Sequence, residues 1–186
     1  MLKRNPLILT KLNTALLIID IQEKIVPAMN ESQRFVSNAV KLIQGCKVLG
    51  LPIFLTEQYP KGLGATVKEI KDELQDITPI QKMSFSCAGS VELMAKLKKS
   101  EIKNIIIAGI ESHVCISQTA LDLSVNGFNI IVAADAVSSR RKFDYEIALS
   151  RMARNNIDVT LSESVLFEML NVCGTEEFKQ ISKIVK

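Results

Sequence analysis

Asn104-Ile105-Ile106-Ile107-Ala108-Gly109-Ile110 is the stretch that decides the fold. After Asn104 it carries no polar side chain and is rich in isoleucine, the composition of a strand buried on both faces in a parallel sheet. The amphipathic stretch that follows, Cys115-Ile116-Ser117-Gln118-Thr119-Ala120-Leu121, reads as a helix that continues to Val125 and stops at Asn126-Gly127. A thiol therefore stands at a strand-to-helix turn. Unpaired N–H groups and the positive end of the helix dipole gather there. Cys115 is accordingly expected to ionise more easily than a free thiol of pKa about 8.5.

Working outward, the same alternation covers the chain. Strands are expected at residues 15–20, 52–56, 77–81, 104–110, 129–133 and 158–160. Helices are expected at 33–49, 90–98, 116–125, 143–155, 162–170 and 176–185. The first helix places Phe35, Ala39, Leu42, Cys46 and Leu49 on one face, with Gly50 and Pro52 as its stop. Ser90 with Glu92 reads as the N-cap of another. Continuous strand–helix alternation predicts an α/β fold: a three-layer α/β/α sandwich on a mostly parallel, six-stranded, Rossmann-like sheet with right-handed crossovers. Residues 1–186 are expected to form a single domain.

In such sheets the ligand crevice lies beyond the carboxyl ends of the strands. Asp20 ends one apolar run, Lys82 follows another, and Cys115 follows the third, so the fold can gather an acid, an ammonium and a thiol from distant points of the chain. If Cys115 is a nucleophile, it needs a base and donors for an oxyanion. Asp20 would accept the thiol proton and return it to a leaving group, Lys82 would steady both charges, and N–H groups around Glu111 and Cys115 would bind the oxyanion. Each residue also has a duller reading, as an N-cap, a solvated charge or a buried filler. Tyr59, Phe85 and Ile110 are candidate apolar walls, and Gln22, Glu57 and Gln58 candidate polar groups of a pocket. The segment Glu57–Thr66 reads as a loop, and Asp135 as a structural residue acting through Ser138 and Ser139.

Composition excludes several classes. The net charge of +3 comes from interspersed Lys and Arg, and two Tyr with no Trp offer little base stacking, so nucleic acid is not expected as the partner. No stretch approaches the roughly 20 apolar residues of a membrane span. The opening Met1-Leu2-Lys3-Arg4-Asn5-Pro6 is basic, but Lys11, Asn13 and Thr14 interrupt it before a cleavage site, which predicts no targeting segment and a cytoplasmic location. Cys46, Cys87, Cys115 and Cys173 form no Cys-x-x-Cys pair, and His113 is the only histidine, so neither a disulfide framework nor a metal site is expected.

Three segments together resemble the signature of the isochorismatase-like cysteine hydrolases: Leu17-Ile18-Ile19-Asp20-Ile21-Gln22, Lys82-Met83-Ser84-Phe85-Ser86, and Ala108-Gly109-Ile110-Glu111-Ser112-His113-Val114-Cys115. The segment Thr56-Glu57-Gln58-Tyr59-Pro60-Lys61-Gly62-Leu63-Gly64 is similar to that of the isochorismatase domain-containing branch. The resemblance implies an Asp20–Lys82–Cys115 triad, a non-proline cis peptide at Ile110–Glu111 shaping the oxyanion site, no cofactor, and a homo-oligomer. It further implies hydrolysis of a C–N bond in a small amide or carbamoyl compound through a thioester. Enol-ether hydrolysis, as in true isochorismatases, and a non-catalytic interaction protein are the alternatives. The histidines that hold a metal in the similar nicotinamidases have no counterpart here.

Overall fold

A computed structural model describes residues 4–186; Met1-Leu2-Lys3, half of the basic opening, lie outside the described residues. Six strands run β1 (Thr14–Ile19), β2 (Ile53–Gln58), β3 (Ile80–Lys82), β4 (Asn104–Ile110), β5 (Asn129–Ser138) and β6 (Asp158–Thr160). The helices are α1 (Ser32–Val48), α2 (Pro60–Leu63), α3 (Lys68–Glu73), α4 (Val91–Lys99), α5 (Ser117–Val125), α6 (Lys142–Ala153), α7 (Ser162–Leu170) and α8 (Glu176–Ile184). A π-helical turn, Ser112–Ile116, joins β4 to α5.

All five strand pairs are parallel, in the order β3-β2-β1-β4-β5-β6. Strand order reverses between β1 and β4, and this reversal fixes where a crevice opens. Alternation of side chains along β1 divides the core. Leu16 and Ile18 enter a cluster with Phe35, Leu42 and Leu166, on the face covered by α1 and α7. Ala15, Leu17 and Ile19 enter a cluster with Leu93, Ile116, Leu123 and Met152, on the face covered by α4, α5 and α6. The expected strands and layers are thus observed. Ser90 accepts the Leu93 N–H at 3.3 Å as the N-cap of α4, and Gly50 at φ +71° follows the end of α1.

Three local expectations are corrected. The segment read as a loop is ordered as the end of β2, where Glu57 and Gln58 pair with Gln81 and Lys82, and then as α2, with α3 following. Its glycines and proline gave turn signals that tertiary pairing overrode. β5 continues past residue 133 to Ser138, because a register shift between Ile107 and Gly109 lets the strand resume pairing through Val137 and Ser138. Asp135 acts through Ser162 rather than Ser138 or Ser139: its Oδ1 accepts the Ser162 N–H at 2.7 Å and the Ser162 hydroxyl at 2.8 Å, clasping the start of α7.

Candidate active site

The reversal of strand order places the end of β1 beside the end of β4, and the two deliver Asp20 and Cys115 to one point. Asp20 follows β1 in the left-handed region at φ +55°, a conformation that Asp tolerates better than most residues. Its N–H donates to Thr56 O at 3.2 Å, which ties the turn to β2. Lys82 ends β3 and reaches across β2 to the same carboxylate. Asp20, Lys82 and Cys115 are 3%, 5% and 7% exposed.

Lys82 Nζ donates to Asp20 Oδ2 at 2.6 Å, Gln58 Oε1 at 2.7 Å, and Ser84 O and Phe85 O at 3.2 Å each. Four fixed acceptors hold one ammonium, so it is a rigid cation beside Asp20. Asp20 Oδ1 accepts the Thr56 hydroxyl at 2.8 Å. The Cys115 thiol abuts the same carboxyl group, which enters its proton affinity as a charge and as a hydrogen-bond partner.

Burial raises the Asp20 carboxyl above its ordinary 3.8, against the opposing charge and hydrogen bond of Lys82 and the hydrogen bonds of Thr56 and Cys115. Burial, then the charge of Asp20, pushes the Cys115 thiol from 9.0 up to about 12, with Lys82 opposing. The expected easy ionisation of Cys115 is therefore corrected. Cys115 is the fourth residue of the π-helical turn, past its N-terminus, and it is buried with a carboxylate as its neighbour. The upward shift of the thiol favours a resting proton on sulfur, and Asp20 is the carboxyl group beside it.

The turn itself carries the Ile110–Glu111 cis peptide. Val114 and Ile116 N–H both donate to Glu111 O, and the Glu111 and Ser112 N–H groups find no acceptor among the described residues. Ser112 Oγ donates to Ser138 O at 2.9 Å, and Arg140 Nε donates to Glu111 Oε1 at 2.9 Å. Both contacts bind the turn to the end of β5 and the segment after it. The single histidine, His113, lies with Nδ1 3.0 Å from Ser139 Oγ.

The other expected residues divide. Tyr59 and Phe85 stand at the rim, 47% and 55% exposed. Tyr59 N–H donates to Lys82 O at 3.0 Å, and Phe85 O accepts from Lys82, so their backbones belong to the cluster. Ile110 is buried and packs into the core on the α1 face. Gln22 is fully buried and spends its amide on backbone: Nε2 donates to Gln58 O and Gly64 O, and Oε1 accepts the Gln58 N–H at 2.8 Å. It fastens the segment after β2 and presents nothing to a ligand. Glu57 is likewise engaged, through Oε1, with the Thr66 N–H and hydroxyl.

Thr56 and Cys87 were not legible as site residues: Thr56 opens a quoted segment with nothing there to mark its hydroxyl for use, and neither motif nor periodicity marks Cys87. Their contribution comes from β2 and from the short segment after β3 lying against the carboxylate. Among the described residues, no group of three or more His, Cys, Asp or Glu side chains is placed to hold a metal ion, and no helix is long and apolar enough to cross a membrane.

Lys82→Met is expected to lower stability by about 3 kcal/mol, because it leaves Asp20 buried without its counter-ion. The double variant Lys82→Met/Asp20→Asn should recover part of that loss in urea denaturation. A double variant less stable than Lys82→Met would contradict this reading of the pair.

The "Isochorismatase domain" family description matches residues 14–164. Isochorismatase domain-containing protein 1 of Salmo salar is 38% identical over 174 residues, covering 93% of this chain and 61% of the relative. This chain thus spans about three fifths of that protein's length. Isochorismatase domain-containing protein 2 of Danio rerio is 38% identical over 172 residues, covering 92% of this chain and 86% of the relative. The solved structure described as MAR1 ribonuclease from Caenorhabditis elegans superposes with a TM-score of 0.87 at 34% identity, over 95% of this chain and 91% of that one.

Proposed function

The chain belongs to the isochorismatase family, and from that premise we propose that it is a cysteine hydrolase that cleaves the C–N bond of a small amide or carbamoyl compound. One observation supports this reading: the Asp20 carboxylate holds the Lys82 ammonium at 2.6 Å at a buried point beside the Cys115 thiol, so a thiol, a base and a cation from three strand ends meet.

Asp20 takes the proton from Cys115 as Sγ attacks the carbonyl carbon. The electron pair of the carbonyl moves to oxygen, which the unpaired N–H groups of the turn at Glu111 and Ser112 can receive. The tetrahedral adduct collapses by breaking the C–N bond, and Asp20 gives its proton to the departing nitrogen. A thioester remains on Cys115. Asp20 then removes a proton from water as the water attacks the thioester, and returns it to the leaving sulfur. Lys82 keeps the Asp20 carboxylate oriented and its charge compensated throughout. No cofactor enters any step.

In this reading residues 1–186 act as one isochorismatase-like hydrolase domain, working as a homo-oligomer on a small molecule in the cytoplasm. Free Cys46, Cys87 and Cys115 suit a reducing compartment. Exposed Phe143 and Ile147, one turn apart on α6, suit burial against another chain. Light scattering should give the mass of more than one chain.

The test is a panel of small primary amides, carbamoyl compounds and an enol ether, read by ammonia release and by intact-protein mass after acid quench. Ammonia release with an acyl mass on Cys115 is the expected result. Pyruvate release from an isochorismate-type ether without an adduct would replace it with the enol-ether reaction. Inertness across the panel would favour a non-catalytic role. Because the C. elegans relative is described as a ribonuclease, an oligoribonucleotide belongs in the panel, and RNA cleavage that survives Cys115→Ala would redirect the assignment.

A further inference from the structure

Behind the carboxylate lie two buried side chains with no step in the mechanism, Thr56 and Cys87. Thr56 holds Asp20 twice. Its carbonyl accepts the Asp20 N–H at 3.2 Å and its hydroxyl donates to Asp20 Oδ1 at 2.8 Å. A buried hydroxyl is costly unless it is bonded, so a Thr at this core position signals use of the oxygen.

That oxygen has a second neighbour, Cys87 Sγ at 3.9 Å. A threonine hydroxyl carries one proton. With that proton on Asp20 Oδ1, Thr56 Oγ1 faces Cys87 only as an acceptor, and the thiol must be the donor. The thiol keeps a proton to give: Cys87 is fully buried, and burial pushes it up to about 11. Cys87 is also fixed in place, because its N–H donates to Thr119 Oγ1 at 2.9 Å. Thr119 lies four residues after Cys115, on the helix that continues from the turn bearing it.

We propose that Cys87 S–H, Thr56 O–H and Asp20 Oδ1 form a one-way hydrogen-bond chain that sets the orientation and proton affinity of Asp20, so that Thr56 and Cys87 are positioning residues for the hydrolysis. The proposal rests on the reading of Asp20 as the proton acceptor. Lys82 occupies Oδ2 and Thr56 occupies Oδ1. Two fixed donors prevent the carboxylate from rotating and fix the lone pairs that remain for the thiol proton. A donor to an ionised carboxylate favours the ionised form. Removing Thr56's donor therefore makes Asp20 a group that stays protonated to higher pH and is unavailable as a base there.

The chain is tested by 13C NMR titration of the aspartate carboxyl groups in labelled protein, with Asp20→Asn assigning the Asp20 resonance. Thr56→Val should raise the Asp20 midpoint by about one pKa unit. Thr56→Ser, which keeps the hydroxyl, should leave it near wild type, and Cys87→Ala should raise it by less than Thr56→Val. An unmoved midpoint in Thr56→Val, or an equal shift in Thr56→Ser, overturns the proposal even if both variants melt earlier. Should Thr56→Val not fold, an unmoved midpoint in Cys87→Ala overturns the chain by itself. The titration reads no turnover, so an inert amide panel would sink the proposed function and leave this result standing, while an unmoved midpoint in an active hydrolase would sink only the chain.

Discussion

Cys115→Ala is expected to lower kcat/KM for an amide substrate by at least about a thousandfold, and to abolish the acyl mass adduct on the protein. The variant removes the atom that bonds to the acyl group, and no second nucleophile stands in its place. Cys87, the nearest other thiol, is fully buried and directed at Thr56. Stability should change little, since Cys115 contributes one small side chain at the edge of the core. The pH profile carries the same argument. Attack requires one proton to be shared by Cys115 and Asp20, and that state is lost in two directions. As pH falls through the Asp20 value, which burial holds above 3.8, the carboxylate gains a proton and can no longer act as base. As pH rises toward the thiol value of about 12, the pair loses the proton needed by the leaving nitrogen. The profile should therefore show an acid limb above pH 3.8 and no alkaline loss attributable to this pair near neutrality. Iodoacetamide labelling of resting Cys115 at pH 7 should be slow, because sulfur holds its proton. Rapid labelling with a midpoint below the free-thiol value would show that the thiol is ionised at rest and that Asp20 is not its base.

Gly109→Ala is expected to cost more than about 4 kcal/mol and to lower the melting temperature by about 10 °C or more, if soluble protein forms at all. Gly109 pairs with Ile19 at the point where β1 and β4 deliver Asp20 and the nucleophile turn. A Cβ there would lie 2.1 Å from Ile19 O and 2.8 Å from Ile19 C and N, at φ +134°. Backbone cannot yield as a flexible side chain can, so the two central strands would have to separate. Gly174 is the control: at φ +81° with nothing within 4 Å of an added Cβ, Gly174→Ala meets only the backbone preference, worth about 1 kcal/mol. A Gly109→Ala variant melting within a few degrees of wild type would show that β1 and β4 need not approach so closely.

The run at 104–110 announces a strand buried on both faces because water exclusion leaves its mark residue by residue. β1 is legible for the same reason, and with the helical periods between the strands it implies the layers and the parallel sheet. Strand ends follow from those runs, so Asp20, Lys82 and Cys115 could be placed at one edge before any coordinates. Short α2 escaped because Pro60, Gly62 and Gly64 dominate its local signal, α3 because six residues are too few to show a helical period, and the second half of β5 because Asp135 interrupts its apolar run while pairing with β4 holds it. Gln22 looked like a pocket group, since sequence shows an amide but not the backbone groups that use it. The location of the proton is the sharpest case. A cysteine before a helix suggests an easily ionised thiol, yet the carboxylate and the burial around Cys115 reverse the sign. By itself the sequence determined which side chains leave water and which strand ends hold reactive groups, because burial patterns are periodic along the chain. Only the tertiary structure decided proton affinity, the Thr56–Cys87 contact and the role of each polar group, because electrostatic and hydrogen-bond energies depend on distances of a few ångströms between residues dozens of positions apart.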